Sequence, residues 1–263
     1  MKKLIGKVIL ITGASGGLGE KIALHAANQG ATIIGVARRK DRLEKVITQC
    51  KELSQTEAYA FELDVADKNQ VTEVLTNILQ ITPKIDYLIN NAGFGVMENF
   101  VDLDMNRVED MFKVNVLGLM QIAQIIAKKM KAQGSGEIVN IASMAGKIAT
   151  PKASAYAATK FAVIGFSNAL RLELASSSIN VMTVNPGPMQ TEFFTHAGQD
   201  NAYLKSLGKV VLDPDKLAKR IVRNLGSKKR EINAPWYMQI ASVAYAIFPK
   251  LGDYLTGGVF NKK

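Results

Sequence analysis

Val8-Ile9-Leu10-Ile11 is a short run without a single polar residue, and it stops at a glycine-rich turn, Thr12-Gly13-Ala14-Ser15-Gly16-Gly17-Leu18-Gly19. A run that does not alternate reads as a strand buried on both faces, the kind found in parallel sheets. The pattern then turns helical over 20–29, and Gly30 closes it. A second apolar run at 31–37 is followed by a charged helix over 41–53. Strand candidates recur at 59–63, 87–90, 137–141 and 179–184, separated by helices over 68–80, 108–131 and 153–174. Six such alternations, with no long linker and no internal repeat, predict an α/β fold: a doubly wound parallel sheet in three layers.

Regularity breaks after Asn185. Pro186-Gly187-Pro188 forces a turn, and the stretch to about 212 has no clear period. A segment of that length inside a compact domain is more often functional than structural, and 188–212 is expected to be a substrate loop. Asp213-Pro214 opens a further helix, with Asp213 as N-cap and Pro214 at the first helical position, and Gly226 closes it. A last short strand is expected at 231–233. The 263 residues, 48% apolar, suffice for one substantial core. The expectation is one domain over 1–263, with a motif-bearing core at 7–191 and an apolar, helical C-terminal extension at 234–263.

Composition removes several function classes. Cys50 is the sole cysteine, and the two histidines, His25 and His196, are far apart. Disulfides, zinc knuckles and a His-rich metal site are therefore not expected, and no metal site is assigned. The net charge is 33 − 23 = +10, which suits an anionic cofactor, an anionic membrane surface or solubility as well as nucleic acid. The basic residues are spread out and no zinc-finger spacing or RNP-like box accompanies them, so no nucleic-acid role is expected. Met1-Lys2-Lys3-Leu4-Ile5 could begin a signal peptide, but Lys7 and the glycine turn interrupt it. No window offers about 18 uncharged apolar residues. A cytoplasmic protein is expected, with membrane association through the C-terminus left open.

The chemistry-bearing residues fall at the ends of the strand candidates. Glycines at 13, 17 and 19 let a backbone turn tightly and approach a pyrophosphate at a helix N-terminus. After the second strand, where dinucleotide folds often place a carboxylate against a ribose hydroxyl, the chain reads Arg38-Arg39-Lys40. A carboxylate there would repel a 2′-phosphate, whereas a guanidinium bonds it, so position favours NADP(H) over solvated surface charge. Tyr156 and Lys160 lie four residues apart on one helix face. An ammonium near a phenol stabilises the phenolate, lowering a pKa normally near 10, so Tyr156 would serve as general acid or base. Ser143 follows a strand end, where its hydroxyl could orient a carbonyl. Asn115 sits inside a helix, and Asn90-Asn91-Ala92-Gly93 closes the fourth strand; each has an ordinary structural reading as well.

Taken in order, these motifs resemble the short-chain dehydrogenase/reductase family over about 7–191. TGASGGLG at 12–19 is followed by Asp64, NNAG at 90–93, Asn115, Ser143, Tyr156 with Lys160, and Pro186-Gly187. The resemblance implies a Rossmann-type fold and a nicotinamide-dependent oxidoreductase acting on a carbonyl or secondary alcohol. It implies Tyr156 as proton donor, Lys160 as pKa-lowering partner and ribose contact, Ser143 as bond to the substrate oxygen, and Asn115 as holder of a relay water. The implied cofactor contacts are Gly13, Ser15, Gly16, Gly17, Leu18, Gly19, Arg38, Arg39, Asp64, Val65, Asn91, Ala92, Gly93, Tyr156, Lys160, Pro186, Gly187 and Thr191. Arg38 matches NADP-preferring members.

The pocket is expected to be walled by 93–97, 145–151 and 189–212. Phe94, Met97, Met144, Ile148, Met189, Phe193 and Phe194 suit an apolar small-molecule substrate. A homo-dimer or homo-tetramer is expected. A nucleotide-binding regulator without turnover is the competing class, and it has no need of the Asn115, Ser143, Tyr156, Lys160 set. Residues 236–248 are almost wholly apolar and end at Pro249. As a helix they put Trp236, Ile240, Val243, Ala244 and Ile247 on one face, beside Tyr237, Ala241, Tyr245 and Phe248. Two readings stand: packing on the core or a second subunit, or contact with a membrane or lipid-like substrate, helped by Lys228, Lys229, Arg230, Lys250, Lys262 and Lys263. Cys50 shares an apolar face with Val46, Ile47 and Leu53 and is expected to be a small buried hydrophobe.

Overall fold

The apolar runs form seven strands, all parallel. A computed structural model describes residues 3–189 and 211–259. In chain order the strands are β1 (Val8–Thr12), β2 (Thr32–Ala37), β3 (Ala58–Glu62), β4 (Tyr87–Asn90), β5 (Gly136–Ile141), β6 (Ile179–Pro186) and β7 (Glu231–Ala234). They line up as β3-β2-β1-β4-β5-β6-β7. The order reverses between β1 and β4, which opens a crevice above their C-terminal ends.

Residues of β1 alternate between two cores. Ile9 and Ile11 face one side and Leu10 the other, all fully buried. The first core is closed by α1 (Gly17–Asn28), α2 (Lys40–Ser54) and α7 (Pro214–Asn224). The second core is closed chiefly by α3 (Lys68–Ile81) and α5 (Leu119–Gln133). The remaining helices are α4 (Met105–Phe112), α6 (Ser154–Glu173), α8 (Tyr237–Ile247) and α9 (Pro249–Val259). This is the three-layer, doubly wound sheet that the alternation predicts.

Local signals fix the helix starts. Asp67 caps α3 by accepting from the amides of Asn69 and Gln70 at 2.9 and 3.0 Å. Asp213 caps α7 through Asp215 N at 2.8 Å, with Pro214 first in the helix. Cys50 is fully buried, and burial pushes its thiol up to about 12, consistent with a small hydrophobe.

Two features depart from the periodicity. The helix expected at 108–131 starts earlier, at Met105, where Asp104 caps it. It then widens into a π-helical turn over Lys113–Gly118 before continuing as α5. Gly118 there passes so close to the carbonyl of Val65 that a Cβ would collide with it. The strand expected to end at Val184 runs on to Pro186, because β7 pairs with it from Thr183 to Pro186.

Candidate active site

Strand ends build the floor of a cleft of about 690 Å³. β1 contributes Gly13, β2 leads to Arg38 and Arg39, β3 to Asp64, β4 to Asn91, β5 to Ser143, and β6 to Pro186 and Gly187. Every sequence-predicted site residue among the described residues lines it except Gly19 and Asn115. Thr191 lies outside the described residues, as do Phe193 and Phe194.

The glycine turn fits a phosphate by lacking side chains. A Cβ on Gly13 would come within 2.9 Å of Asn91 Nδ2, and one on Gly19 would strike the carbonyl of Gly13. Gly19 therefore serves the loop's packing rather than the cleft surface. No side chain caps the N-terminus of α1, so its first amides and dipole favour an anion there. Asn91 fastens the loop. Its Nδ2 donates to the carbonyls of Thr12 and Gly13 at 3.0 and 3.3 Å, while its amide and that of Ala92 both donate to Thr12 Oγ1 at 2.9 Å.

The two arginines diverge. Arg38 reaches toward Asp64, 4.0 Å away and largely exposed. Arg39 lies back over the glycine turn, with Nε donating to Ser15 Oγ at 3.3 Å and its guanidinium against Gly16. Two cations thus border the same end of the cleft.

Ser143 follows β5, and α6 carries Tyr156 and Lys160 beneath it. Ser143 Oγ donates to Pro186 O at 3.3 Å, accepts from Ala145 N at 3.1 Å and is hydrogen-bonded to the Tyr156 hydroxyl. Lys160 Nζ donates to Ile141 O at 3.0 Å and lies 5.8 Å from the centre of the Tyr156 ring. Both residues are buried. Burial pushes the Tyr156 phenol up to about 12, the bond with Ser143 only partly opposing it, and pulls the Lys160 ammonium down to about 8. The lowered phenol expected from the Tyr-Lys spacing is thus reversed in sign, because removal from water outweighs the neighbouring ammonium.

Asn115 is fully buried in the π turn. Its Oδ1 accepts from Phe94 N at 3.0 Å, and its Nδ2 donates to Phe94 O at 2.8 Å and Thr159 Oγ1 at 3.1 Å. Thr159 in turn donates to Tyr156 O at 2.7 Å. Both amide protons are spent on holding the loop after β4 against α6, one residue from Lys160.

One wall comes from the apolar segment whose partner the sequence left open. Phe94, Met97, Met144, Ile148 and Met189 line the cleft as expected, but so do Tyr237, Met238, Ala241, Ala244, Tyr245 and Phe248 of the α8 segment and Leu251 and Leu255 of α9. The signal was present: a helix apolar all round needs two partners, and one face of α8 is the cleft. The other, with Trp236, Ile240, Val243 and Ile247, is exposed. Among the described residues no group of three His, Cys, Asp or Glu could hold a metal ion, and no helix is long and apolar enough to cross a membrane.

Residues 7–202 match the short chain dehydrogenase family. The chain is 36% identical over 245 residues to the Dehydrogenase/reductase SDR family protein 7-like of Drosophila melanogaster, covering 88% of this chain and 73% of that one. A short-chain dehydrogenase from Sphingobium yanoikuyae in complex with NADPH superposes with a TM-score of 0.82 at 28% identity, over 94% of this chain and 96% of that one. An NAD+-bound xylitol dehydrogenase superposes with a TM-score of 0.80, also at 28% identity, over 88% and 98%.

Proposed function

The chain belongs to the short-chain dehydrogenase family of nicotinamide-dependent oxidoreductases acting on CH–OH or C=O groups, and from that membership we propose that it is an NADP(H)-dependent carbonyl reductase with Tyr156 as general acid. One observation carries the reading: a buried tyrosine hydroxyl bonded to Ser143, one helical turn from a buried ammonium, at the floor of the cleft.

A bound nicotinamide supplies the hydride. The chain's own residues do the rest. The glycine turn and the α1 N-terminus would hold the pyrophosphate, and the Lys160 ammonium would contact the nicotinamide-side ribose. Ser143 Oγ and the Tyr156 hydroxyl hydrogen-bond the substrate oxygen. A phenol held near 12 is protonated at neutral pH, so the resting protein is poised to donate a proton, as reduction requires. The Lys160 charge then stabilises the phenolate left behind. Asn115 acts through position, fixing α6 against the loop after β4.

Dinucleotides of both kinds occur in the superposed neighbours, so the choice rests on this chain's own charges. Arg38 and Arg39 border the expected place of a 2′-phosphate, and this supports NADP(H). Assembly is read as a cytoplasmic homo-oligomer using the outer face of α8. A membrane contact has less support than the sequence promised. Lys228, Lys229 and Arg230 precede β7, whereas α8 follows it, so about 13 Å of strand separates them.

Loss of NADPH absorbance with a panel of ketones and aldehydes tests the reading. Turnover that disappears in Tyr156→Phe is expected. Wild-type rates in that variant on an established substrate overturn it.

A further inference from the structure

We propose that the α8–α9 hairpin makes this enzyme selective for substrates with an unbranched apolar chain, the carbonyl near one end held at Tyr156 and the chain laid along α8. The proposal rests on the carbonyl-reductase reading above and adds the substrate class.

The groove has a direction. Its inner end lies beside the catalytic floor, where Met238 packs on Gly187; a Cβ on that glycine would come within 3.0 Å of Met238 Sδ. Gly187 follows Pro186, whose carbonyl accepts from Ser143. From there the lining residues climb α8 one turn at a time, through Ala241 and Ala244 to Phe248, and pass to Leu251 on α9. At 1.5 Å per residue the stretch from 237 to 248 is about 16 Å long. Ala241 and Ala244 in its middle leave width for a slender chain beside the Tyr245 ring. Phe248 and Leu251 are exposed, so the outer end is open.

Beyond Tyr237 at its first turn, the polar side chains on this wall among the described residues are Tyr245 and Thr256. The Tyr245 hydroxyl donates to Asp253 Oδ1 at 2.7 Å, and Thr256 Oγ1 donates to Asp253 O at 3.4 Å. Both hydroxyl protons are committed inside the hairpin. A ligand lying here gains by burying methylenes and loses by burying polar atoms. Polar groups free to meet a substrate are concentrated toward the inner end, at Ser143, Tyr156 and Tyr237 at the first turn of α8. That is the signature of a substrate polar at one end and apolar for the remainder.

The test is a series of methyl ketones from butanone to dodecanone, with kcat/KM measured under NADPH, and with thermal shifts by the matching alcohols as a readout independent of turnover. Each added methylene should raise kcat/KM by about two- to fourfold, levelling off once the chain passes the open outer end. Ala244→Trp, which fills the middle of the groove, should lower the ratio of long-chain to short-chain kcat/KM by at least about tenfold. Val243→Ser, on the opposite face, should leave that ratio as in wild type. If butanone is reduced and kcat/KM does not change with length, the chain-selectivity proposal is overturned while the reductase reading stands. If no ketone is reduced but thermal shifts grow with alcohol length, the groove stands and the reductase reading fails. Neither turnover nor length-dependent shifts overturns both.

Discussion

Lys160 donates from its ammonium to the main-chain carbonyl of Ile141 at 3.0 Å. The last residue of β5 thus holds a buried cation one turn from Tyr156, and that burial lowers its affinity for a proton to a pKa of about 8. Since the charge stabilises the phenolate formed in reduction, raising pH through that value removes it. The kcat/KM for carbonyl reduction, which reports the free enzyme, should be flat below about pH 8 and fall about tenfold per unit above it. A profile that stays flat well into the alkaline range speaks against a role for the ammonium.

Tyr156→Phe removes the transferable proton and almost no volume. Turnover should drop by about 10²–10⁴-fold, while NADPH affinity, measured by fluorescence titration, changes little. Lys160→Met should impair both, because the ammonium is assigned to the ribose as well as to the phenolate.

Cofactor choice is carried by two cations in different places. Arg38→Ala and Arg39→Ala should each weaken NADPH binding by about ten- to a hundredfold, the value of one charge-assisted bond. Affinity for NADH should stay close to wild type in Arg38→Ala. Equal wild-type affinity for the two dinucleotides would remove the assignment.

Asn115→Asp keeps the acceptor for Phe94 N but loses both donors, to Phe94 O and to Thr159. Unpairing those buried groups should cost about 1–3 kcal/mol, visible as a melting temperature lower by several degrees. An unchanged melting curve would mean that the loop after β4 is held by other contacts.

The exposed face of α8 makes a separate prediction. Trp236 is the sole tryptophan and is 68% exposed, so its emission reports what covers it. On the subunit reading, sedimentation equilibrium shows a dimer or larger species whose dissociation shifts Trp236 emission to the red, and anionic vesicles change nothing. Co-sedimentation with such vesicles at low salt, reversed at high salt, would instead assign the face to a membrane.

The order of strands and helices, the glycine turn, the cap at Asp213 and the buried Cys50 were all legible along the chain, because each follows from local period, local backbone demand or the affinity of apolar groups for one another. So was the convergence of Arg38, Asp64, Asn91, Ser143 and Pro186, since a doubly wound sheet brings all its C-terminal strand ends to one edge. What the sequence could not carry were quantities set by distant neighbours. Whether Tyr156 titrates above or below its ordinary value depends on how completely α6 and the β5 and β6 ends exclude water. Arg38 and Arg39, adjacent in sequence, part company only because one faces β3 and the other the turn after β1. Residues 236–248 show apolar faces without saying which meets the cleft, because helical period fixes relative angle and not partner. Packing after β7 settles that by setting Met238 on Gly187 and leaving Trp236 outside.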